Sequence, residues 1–498
     1  MISTTDLFHT LANGGVRPLD WKIYLNFTGT PEDLSTRATA ISVSRSLDFP
    51  YNVQSAIADV SLDNHDGYFT FAGLNISPIA DYILPNRPIQ IRFGFQGSTT
   101  VPNFTGYTEA MPEFDGEHDS IAKFTALDKL AQISDKHLPN MVMLRDVRTD
   151  EVIQAIFTQL GLSSYDYNLG IGVNVIPFVY FDADKSVGNA LKELVQAENG
   201  RLWLDEEGVI QFEPRNTNVF QKPVVMEFNK TNTISISPSR AGGITNQVEI
   251  TAEIRRIENT QQVFFTTNDR GYSSSASQDN FRVPANGQAT FWLSFDDPVW
   301  TATAPTLNGS ANSSRFTAVN LSGGAVNSGV SATGTLFATT YKLVITNTNS
   351  SPISLKSISI WGQPAKLIGG QAVEYTAFDD TSVEKFGTKS LQITDNKCFG
   401  SVENIKQYAQ NVLEKYADYS KQITLKVKGD PSLQLGDVVL VSIDDFVGHY
   451  EVSGITNSIT SSDNVALETE LTLQYAYLTN IRPFVLDQSI LNGTDLLG

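Results

Sequence analysis

The sequence predicts a mainly β protein with a small α+β part and an inserted β-sandwich. Three observations indicate this fold class. Short alternating runs rich in β-forming residues, separated by Gly, Pro, Asn and Asp, occupy most of the chain. Two amphipathic helical patterns lie close together in residues 129–215, and residues 266–365 carry little charge. With 498 residues, the chain is long enough for roughly three or four domains.

Residues 1–128 are predicted to form the first β domain. Five strand-like runs occur here, and turn residues separate them. The runs are WKIYLNF, ISVSRSLDF, SAIADVSL, PIQIRFGF and IAKFTALD. Such spacing is typical of an antiparallel barrel or sandwich.

One segment of this domain, SLDNHDGYFTF at 61–71, raises the question of a metal or catalytic cluster, because Asp63, His65 and Asp66 lie close together. A calcium-binding loop counted from Asp63 needs Gly at its sixth position and Glu at its twelfth, where this chain has Tyr and Leu. The flanking residues alternate like strands, and Asp66-Gly67 is typical of a tight turn. We therefore interpret the segment as a hairpin turn.

Residues 129–215 are predicted to form a small α+β domain. An apolar stripe in VRTDEVIQAIFTQLGL indicates a helix that ends at Gly161. A second helix is expected to begin after Ser186, which can cap it, and to end at Gly200. A hairpin around Glu207-Gly208 follows.

Residues 266–365 are predicted to be an insertion. Only seven residues between Gly271 and Ile360 are charged, and Ser, Thr, Asn, Ala and Gly dominate. Strand-like runs such as FRVPANGQATFWLSF and YKLVITNTN favour a folded β-sandwich over disorder.

The segments on either side of the insertion, 216–265 and 366–480, are predicted to form one β-rich domain. A helix at 401–418 with Ser401 as its cap belongs to the second segment. The last residues, 481–498, are expected to be a tail or docking peptide.

Composition restricts the function. The formal net charge of −19 argues against nucleic-acid binding through a basic surface. Cys398 is the only cysteine, so no intramolecular disulfide can form, which fits a reducing compartment. We also expect no secretory signal in the first residues, MISTTDLFHT, and no membrane span.

No catalytic, cofactor-binding or metal site is predicted, and we expect the protein not to be an enzyme. The sequence lacks GxSxG, HExxH, a phosphate-binding loop and a CxxC pair, and its five histidines are scattered. LGIGVN at 169–174 has two glycines but not the full dinucleotide-binding fingerprint, so we interpret it as a loop.

Sugar binding by the insertion is one function that the sequence indicates. Trp292, Trp300 and Asp296 are the candidate sugar-binding residues, because aromatic rings beside polar loops can stack on sugar faces. Buried core tryptophans are the commoner case. The adjacent Asp296 and Asp297 are weak evidence for a glycosidase, which needs two carboxylates on opposite sides of the scissile bond. On this alternative, the protein recognises host cell-wall glycan.

Five motifs, taken in order, carry a family resemblance. They are SLDNHDGYFTF; LPNRPIQIRFGF with FTGYTEAMPEF; IAKFTALDKLAQI; SVGNALKELVQAENGRLWLDEEGVIQFEPRN; and DPSLQLGDVVLVSI with HYEVSGITNSI. Together these resemble the hub proteins of bacteriophage tails, that is, the baseplate hub of contractile phages and the tail-tip hub, or minor tail protein, of siphophages. The resemblance covers about 20–260 and 370–480, and the insertion lies outside it.

The resemblance implies two tube-protein-like β-barrel domains in each chain, around an α+β middle domain. Three chains would then form a ring of pseudo-sixfold symmetry that matches a hexameric tail tube. A homotrimer at the virion tail tip, assembled in the host cytoplasm, would bind the distal tail protein, the tail tube protein, the tape measure protein and tip or receptor-binding proteins. DNA would pass through the ring without specific binding, and no cofactor is implied.

Overall fold

The structure is a computed structural model. It describes residues 1–12, 14, 17–47, 55–71, 76–115, 120–138, 143–181, 185–215, 222–238, 244–267, 281–417, 422–444, 446–460 and 466–477. The predicted tail, 481–498, and the start of the insertion, 268–280, lie outside these residues. The mainly β fold class is confirmed, because strands far outnumber helices in the chain so described.

Residues 1–215 hold thirteen strands and four α-helices among the described residues. In residues 1–128 they are α1 (Asp6–Ala12), β1 (Leu19–Leu25), β2 (Glu32–Asp33), β3 (Ala38–Ser46), β4 (Ile57–Asp63), β5 (Pro88–Phe95), β6 (Val101–Thr108), β7 (Glu113–Asp115) and β8 (Ile121–Asp128). In residues 129–215 they are α2 (Lys129–Ser134), β9 (Leu144–Arg148), α3 (Thr149–Gln159), β10 (Tyr167–Leu169), β11 (Val175–Val179), α4 (Val187–Glu198), β12 (Arg201–Leu204) and β13 (Ile210–Glu213).

The second half is richer in strands. Before and within the insertion lie β14 (Val224–Asn229), β15 (Thr233–Pro238), β16 (Gln247–Ala252), β17 (Arg255–Ile257), β18 (Gln262–Thr266), β19 (Arg282–Val283), β20 (Gly287–Ser294), β21 (Val299–Ala302), β22 (Thr306–Leu307), β23 (Arg315–Asn320), β24 (Ala325–Val326), β25 (Val330–Phe337), β26 (Thr340–Asn347) and β27 (Ile353–Leu367). After it lie β28 (Val373–Phe378), α5 (Asp380–Phe386), β29 (Ser390–Asn396), α6 (Val402–Tyr416), β30 (Gln422–Lys428), β31 (Val438–Ile443), β32 (Phe446–Thr460) and β33 (Leu467–Tyr477).

One sheet of fourteen strands joins the two predicted β domains. Its main path runs β15-β30-β33-β32-β3-β4-β8-β6-β5-β1-β2, with β14, β31 and β7 attached. Strands β1, β3, β4, β5, β6 and β8 all point apolar side chains into one core, so this part of the sheet curls around it as a barrel does. Strands β14, β30, β31, β32 and β33 do the same around a second core. We call these parts the first and second β halves.

The two β halves meet at the antiparallel pair of β3 and β32. Residues Ala40 to Ser46 of β3 align with Gly454 to Thr460 of β32. The fifteen-residue β32 is shared, because its Tyr450 and Val452 lie in the second core while its Ile459 lies in the first. The halves are therefore continuous through backbone hydrogen bonds.

The α+β region has a larger core than the sequence predicts. Helices α3, α4 and α6 pack together with the three-stranded sheet β28-β16-β29. Within residues 216–265 and 366–480, β16, β28, β29 and α6 pack here, whereas β14, β15 and β30–β33 build the second β half. The predicted division of the chain into domains stays a prediction.

The insertion consists of two sheets that face each other. The sheet β20-β26-β25 contributes Leu293, Leu343 and Ile345 to a shared core, and the sheet built on β27 contributes Phe316 and Ile358. This is the layering of a β-sandwich.

The predicted hairpin at 61–71 is wrong, and the predicted end of the helix at Gly200 is refined. The residues after β4, 64–71, form turns and not the second strand of a hairpin. Gly67 has the expected positive φ of 71°, but the Asn64 side chain accepts the Phe69 N–H at 2.8 Å and turns the chain inward. At the end of α4, Asn199 takes the left-handed conformation, with φ 57°. Gly200 follows it, where a Cβ would lie 2.6 Å from the Glu213 carbonyl oxygen.

Candidate functional site

The three candidate sugar-binding residues lie in different surroundings. Trp292 is on the outer face of β20 and is 61% exposed. Trp300 is on β21, in the other sheet of the sandwich, and packs edge-on against Phe178 with ring centroids 6.3 Å apart. Asp296 is exposed in the turn between these strands. Trp300 therefore contacts the α+β region, whereas Trp292 faces solvent.

The neighbouring acidic residue, Asp297, takes part in an ion pair. Arg255 Nη1 lies 3.1 Å from Asp297 Oδ1, and Arg255 Nη2 lies 3.2 Å from Glu253 Oε2. Arginines shared between two carboxylates also occur in purely structural ion-pair networks. Asp297 thus supports the base of the sandwich, where β17 pairs with β27.

The Asp63–Asp66 segment uses its charged groups for contacts within the chain. Arg37 donates to both carboxylate oxygens of Asp66, at 2.9 and 2.7 Å, and Asp63 Oδ1 contacts the His65 ring. The Arg37 hydrogen bonds keep the pKa of Asp66 below its usual value. Among the residues that the structure describes, no three His, Cys, Asp or Glu side chains are grouped to hold a metal ion.

A buried ion pair connects three parts of the molecule. Arg45 of β3 contacts Glu206, at the tip of the β12–β13 hairpin, and both side chains are 3% exposed. Glu206 Oε2 also accepts from Gln434 Nε2 at 2.8 Å, and the Glu206 carbonyl accepts from Thr105 Oγ1 at 3.0 Å. Burial lowers the pKa of Arg45 to about 10. The α+β region is thus attached to both β halves at one point.

A second ion-pair group lies beside the first. Arg201 donates to Glu213 at 2.5 Å and to Glu451 of β32 at 2.7 Å, and Lys222 Nζ lies 3.1 Å from Glu213 Oε1. Burial alone would lower the pKa of Arg201, but Glu451 and Glu213 raise it above its ordinary value. Together the two groups hold the halves in one relative orientation.

The segment from residue 171 to 175 exposes three apolar side chains in a row, and we call this feature the apolar stripe, or the stripe. We use this name for Ile171, Val173 and Val175, which are 70%, 42% and 50% exposed. The alternating residues, Gly172 and Asn174, face inward and are buried. Two carboxylates fix the backbone of this segment. Asp150 accepts the Gly172 N–H, and the fully buried Glu198 accepts those of Val173 and Asn174, each at 2.9 Å.

The glycines of LGIGVN permit this arrangement. A Cβ at Gly172 would lie 3.1 Å from Asp150 Oδ1, and one at Gly170 would lie 2.6 Å from the Pro214 ring. The segment is a loop after β10, as predicted. Sequence reasoning did not find the stripe. Its signal was Ile-Gly-Val-Asn-Val, in which every second residue is β-branched while the residues between are small or polar.

A second group of exposed apolar residues lies close together in the sequence of the first β half, and we call it a patch. It consists of Ile76, Tyr82 and Leu84, which are 59%, 48% and 46% exposed. A short 3-10 helix at Ala80–Tyr82 positions it, and the Arg87 Nε donates to the Tyr82 carbonyl at 2.9 Å. Exposed apolar residues grouped in this way are typical of contact surfaces.

No helix of the described chain is long and apolar enough to cross a membrane. No protein-family model matches the sequence, and no curated protein matches it significantly. Solved structures do match. The chain is similar to phage tail proteins.

Three of these structures illustrate the similarity. The tail protein from Neisseria meningitidis MC58 has a TM-score of 0.47 and 10% identity, over 92% of this chain and 96% of that one. The prophage MuSo2 tail protein from Shewanella oneidensis has a TM-score of 0.47 and 11% identity, over 91% and 98%. Prophage tail protein gp18 from Listeria monocytogenes has a TM-score of 0.40 and 8% identity, over 92% and 95%.

Proposed function

We propose that this chain is a non-enzymatic structural subunit of a bacteriophage tail, a hub at the tail tip or baseplate. Three copies form a ring that joins the hexameric tail tube to distal tip proteins and surrounds the path of the DNA. The five motifs in order support the family, and the geometry of the β halves supports the role.

The observation that carries the proposal is the continuity of the two β halves. Each half curls around its own core, and β3 pairs with β32 along seven aligned residues. One chain therefore presents two barrel-like units in a fixed orientation. Three chains then provide six such units, the number that a hexameric tube requires.

A closed ring also needs a head-to-tail contact between copies, made by two different surfaces of the same chain. The apolar stripe and the patch formed by Ile76, Tyr82 and Leu84 are two such surfaces. Burial of their apolar surface would stabilise the contact between them by about 25 cal/mol for each Å² removed from water. We assign both to contacts between copies of this chain.

The remaining partners follow from this position. The distal tail protein and the tube protein bind one side of the ring, and the tape measure protein and tip or receptor-binding proteins bind in or below it. The formal net charge of −19 favours passage of DNA without adhesion to the wall. Assembly takes place in the host cytoplasm.

The mass and shape of the purified chain test the proposal. Light scattering is expected to give three times the chain mass of 54.6 kDa, and negative-stain electron microscopy is expected to show rings with a central hole. If the chain alone is monomeric, the same measurement is repeated after mixing with tube and distal tail proteins. Absence of rings under both conditions would overturn the hub assignment.

Absence of catalysis is tested separately. The expected result is that the protein and an Asp296→Asn, Asp297→Asn variant release equal, background amounts of reducing ends from host cell wall. Release by the unmodified protein that the variant loses would establish a glycosidase.

A further inference from the structure

The outer face of the insertion's three-stranded sheet is exposed to solvent along β20 and β25. Strand β26 pairs with β20 on one side and with β25 on the other, each through eight consecutive residue pairs without a bulge. Side chains such as Leu343 and Ile345 point into the sandwich core. The opposite face is about 25 Å long, from eight residues at roughly 3.4 Å each.

Trp292 provides an aromatic surface near the end of this face. Its ring lies 5.9 Å from that of Phe337, centroid to centroid, and the two planes are inclined by only 32°. Phe337 is on β25, so the two rings are supported by the two outer strands of the sheet. Such a shelf suits the C–H face of a pyranose ring, because the aromatic face is electron-rich.

Hydroxyl and amide groups cover much of the rest of the face. They belong to Gln288, Thr290, Ser331, Thr333 and Thr335, which are all exposed. Each can donate and accept hydrogen bonds, as a polyhydroxylated ligand requires. A protein partner would instead favour a more apolar centre with several aromatic anchors. The composition of the face therefore favours a saccharide.

The charge on the face is positive. Lys342, paired with Trp292 across the strands, is the only charged residue in β20, β25 and β26, and its Nζ lies 5.8 Å from the centre of the Trp292 ring. Residues 266–365 hold five basic and four acidic side chains, whereas the whole chain has a net charge of −19. The insertion thus lacks the acidic excess of the rest of the molecule, and Lys342 favours an anionic ligand on this face.

We propose that the outer face of the β20–β26–β25 sheet, centred on Trp292 and Lys342, binds an anionic polysaccharide. Trp292 and Phe337 stack on sugar rings, and Lys342 pairs with a carboxylate or phosphodiester group of the ligand. Of the three sugar-binding candidates from the sequence, only Trp292 belongs to this site. Trp300 and Asp296 lie elsewhere, and Phe337 and Lys342 take their place. It does not depend on the hub assignment.

Calorimetric titration of the full-length chain tests the site with three soluble polymers. Dextran is the neutral probe, polygalacturonate carries carboxylates, and poly(glycerol phosphate) carries phosphodiesters. Binding to at least one anionic polymer and not to dextran is expected, and the preferred polymer identifies the anionic group. Binding is expected to weaken as salt is added.

Variants locate the binding on this face. Trp292→Ala is expected to weaken binding about tenfold or more, and Trp292→Tyr to retain most of it. Lys342→Gln is expected to weaken binding and to reduce its salt dependence. The matched controls are Phe378→Ala, an aromatic residue 58% exposed on β28, and Lys356→Gln, an exposed lysine on β27; neither is expected to change binding.

Several results would overturn the inference. They are no binding to any polymer, equal losses in the control and test variants, or dextran binding that Lys342→Gln leaves unchanged. A change in the mass of the protein on Trp292→Ala would instead assign the face to contacts between copies. Ring formation is measured independently, so failure of this site and failure of the hub assignment are distinguishable.

Discussion

Arg45 and Glu206 form an ion pair at 3% exposure although 161 residues separate them in the chain. Arg45 belongs to the strand that joins the two β halves, and Glu206 belongs to the tip of the α+β hairpin. A buried pair contributes little net stability compared with apolar residues of similar size, but loss of one partner leaves a buried charge uncompensated. The pair therefore fixes the orientation of these parts more than it stabilises them.

The first prediction concerns this pair. Glu206→Ala is expected to lower the free energy of unfolding by about 3–5 kcal/mol, because Arg45 stays buried without a counter-charge. The double variant Arg45→Met, Glu206→Leu is expected to recover most of this loss. Urea unfolding followed by circular dichroism measures both. A double variant as unstable as the single one would show that the charge is not the cause.

The second prediction concerns pH. Asp128 is 1% exposed, and burial raises its pKa to about 6 even though the Ala56 and Ala131 N–H groups donate to it at 2.7 and 2.9 Å. A raised pKa means that the folded state binds the proton more tightly than the unfolded state. Stability from this group is therefore present below pH 4 and is lost as pH rises through 6.

Comparison with Asp128→Asn isolates that effect. The unfolding free energy of the unmodified protein, relative to the variant, is expected to fall by about 2 kcal/mol between pH 4 and 6, and by about 3 kcal/mol over the whole range from pH 2 to 8. Chemical denaturation at several pH values measures the difference. Parallel pH profiles for the two proteins would contradict the raised pKa.

Local features were predictable from sequence because neighbouring residues determine them. Ser186 caps α4 by accepting the Asn189 N–H at 3.3 Å, and Ser401 caps α6 by accepting that of Asn404 at 3.2 Å. The five strand-like runs of residues 1–128 correspond to β1, β3, β4, β5 and β8. Each pattern reports which face of an element is buried.

Long-range features were not predictable, because a pattern does not report what an element packs against. β3 and β32 are separated by about 400 residues, and β32 alternates like any other strand. The pattern of β16 fitted the second β domain equally well, yet Val248 and Ile250 pack with α6 and the α+β helices. The stripe was missed because its outward residues are apolar, which is the reverse of the usual surface pattern.

The third prediction concerns the turn after β4. Asn64→Ala is expected to lower the free energy of unfolding by about 1–3 kcal/mol, because the buried Phe69 N–H loses its acceptor. His65→Ala, in the same turn, removes a side chain that is 77% exposed and is expected to change stability by less than about 0.5 kcal/mol. Thermal unfolding of both variants checks this. Equal effects would mean that the turn as a whole, and not the Asn64 hydrogen bond, determines stability.

The fourth prediction concerns the support of the stripe. Glu198→Gln replaces one carboxylate oxygen with an NH₂ group, so Val173 and Asn174 N–H can no longer both find an acceptor. Faster hydrogen exchange of these two amides is expected. Glu384→Gln, at an exposed position on α5, is the control. Unchanged protection of both amides in the Glu198 variant would show that the loop is held in another way.

The fifth prediction concerns the stripe itself. Ile171→Asp with Val173→Asp is expected to prevent ring formation, because a subunit contact that buries two new carboxylates without partners is strongly unfavourable. The thermal stability of the single chain should not change, since both side chains face solvent. Leu321→Asp, 48% exposed in the insertion, is the matched control and should leave ring formation intact. Light-scattering mass measures ring formation. Rings that persist in the double variant would show that the stripe is not part of the contact. Rings lost in both variants would show that added charge, and not the stripe, is the cause.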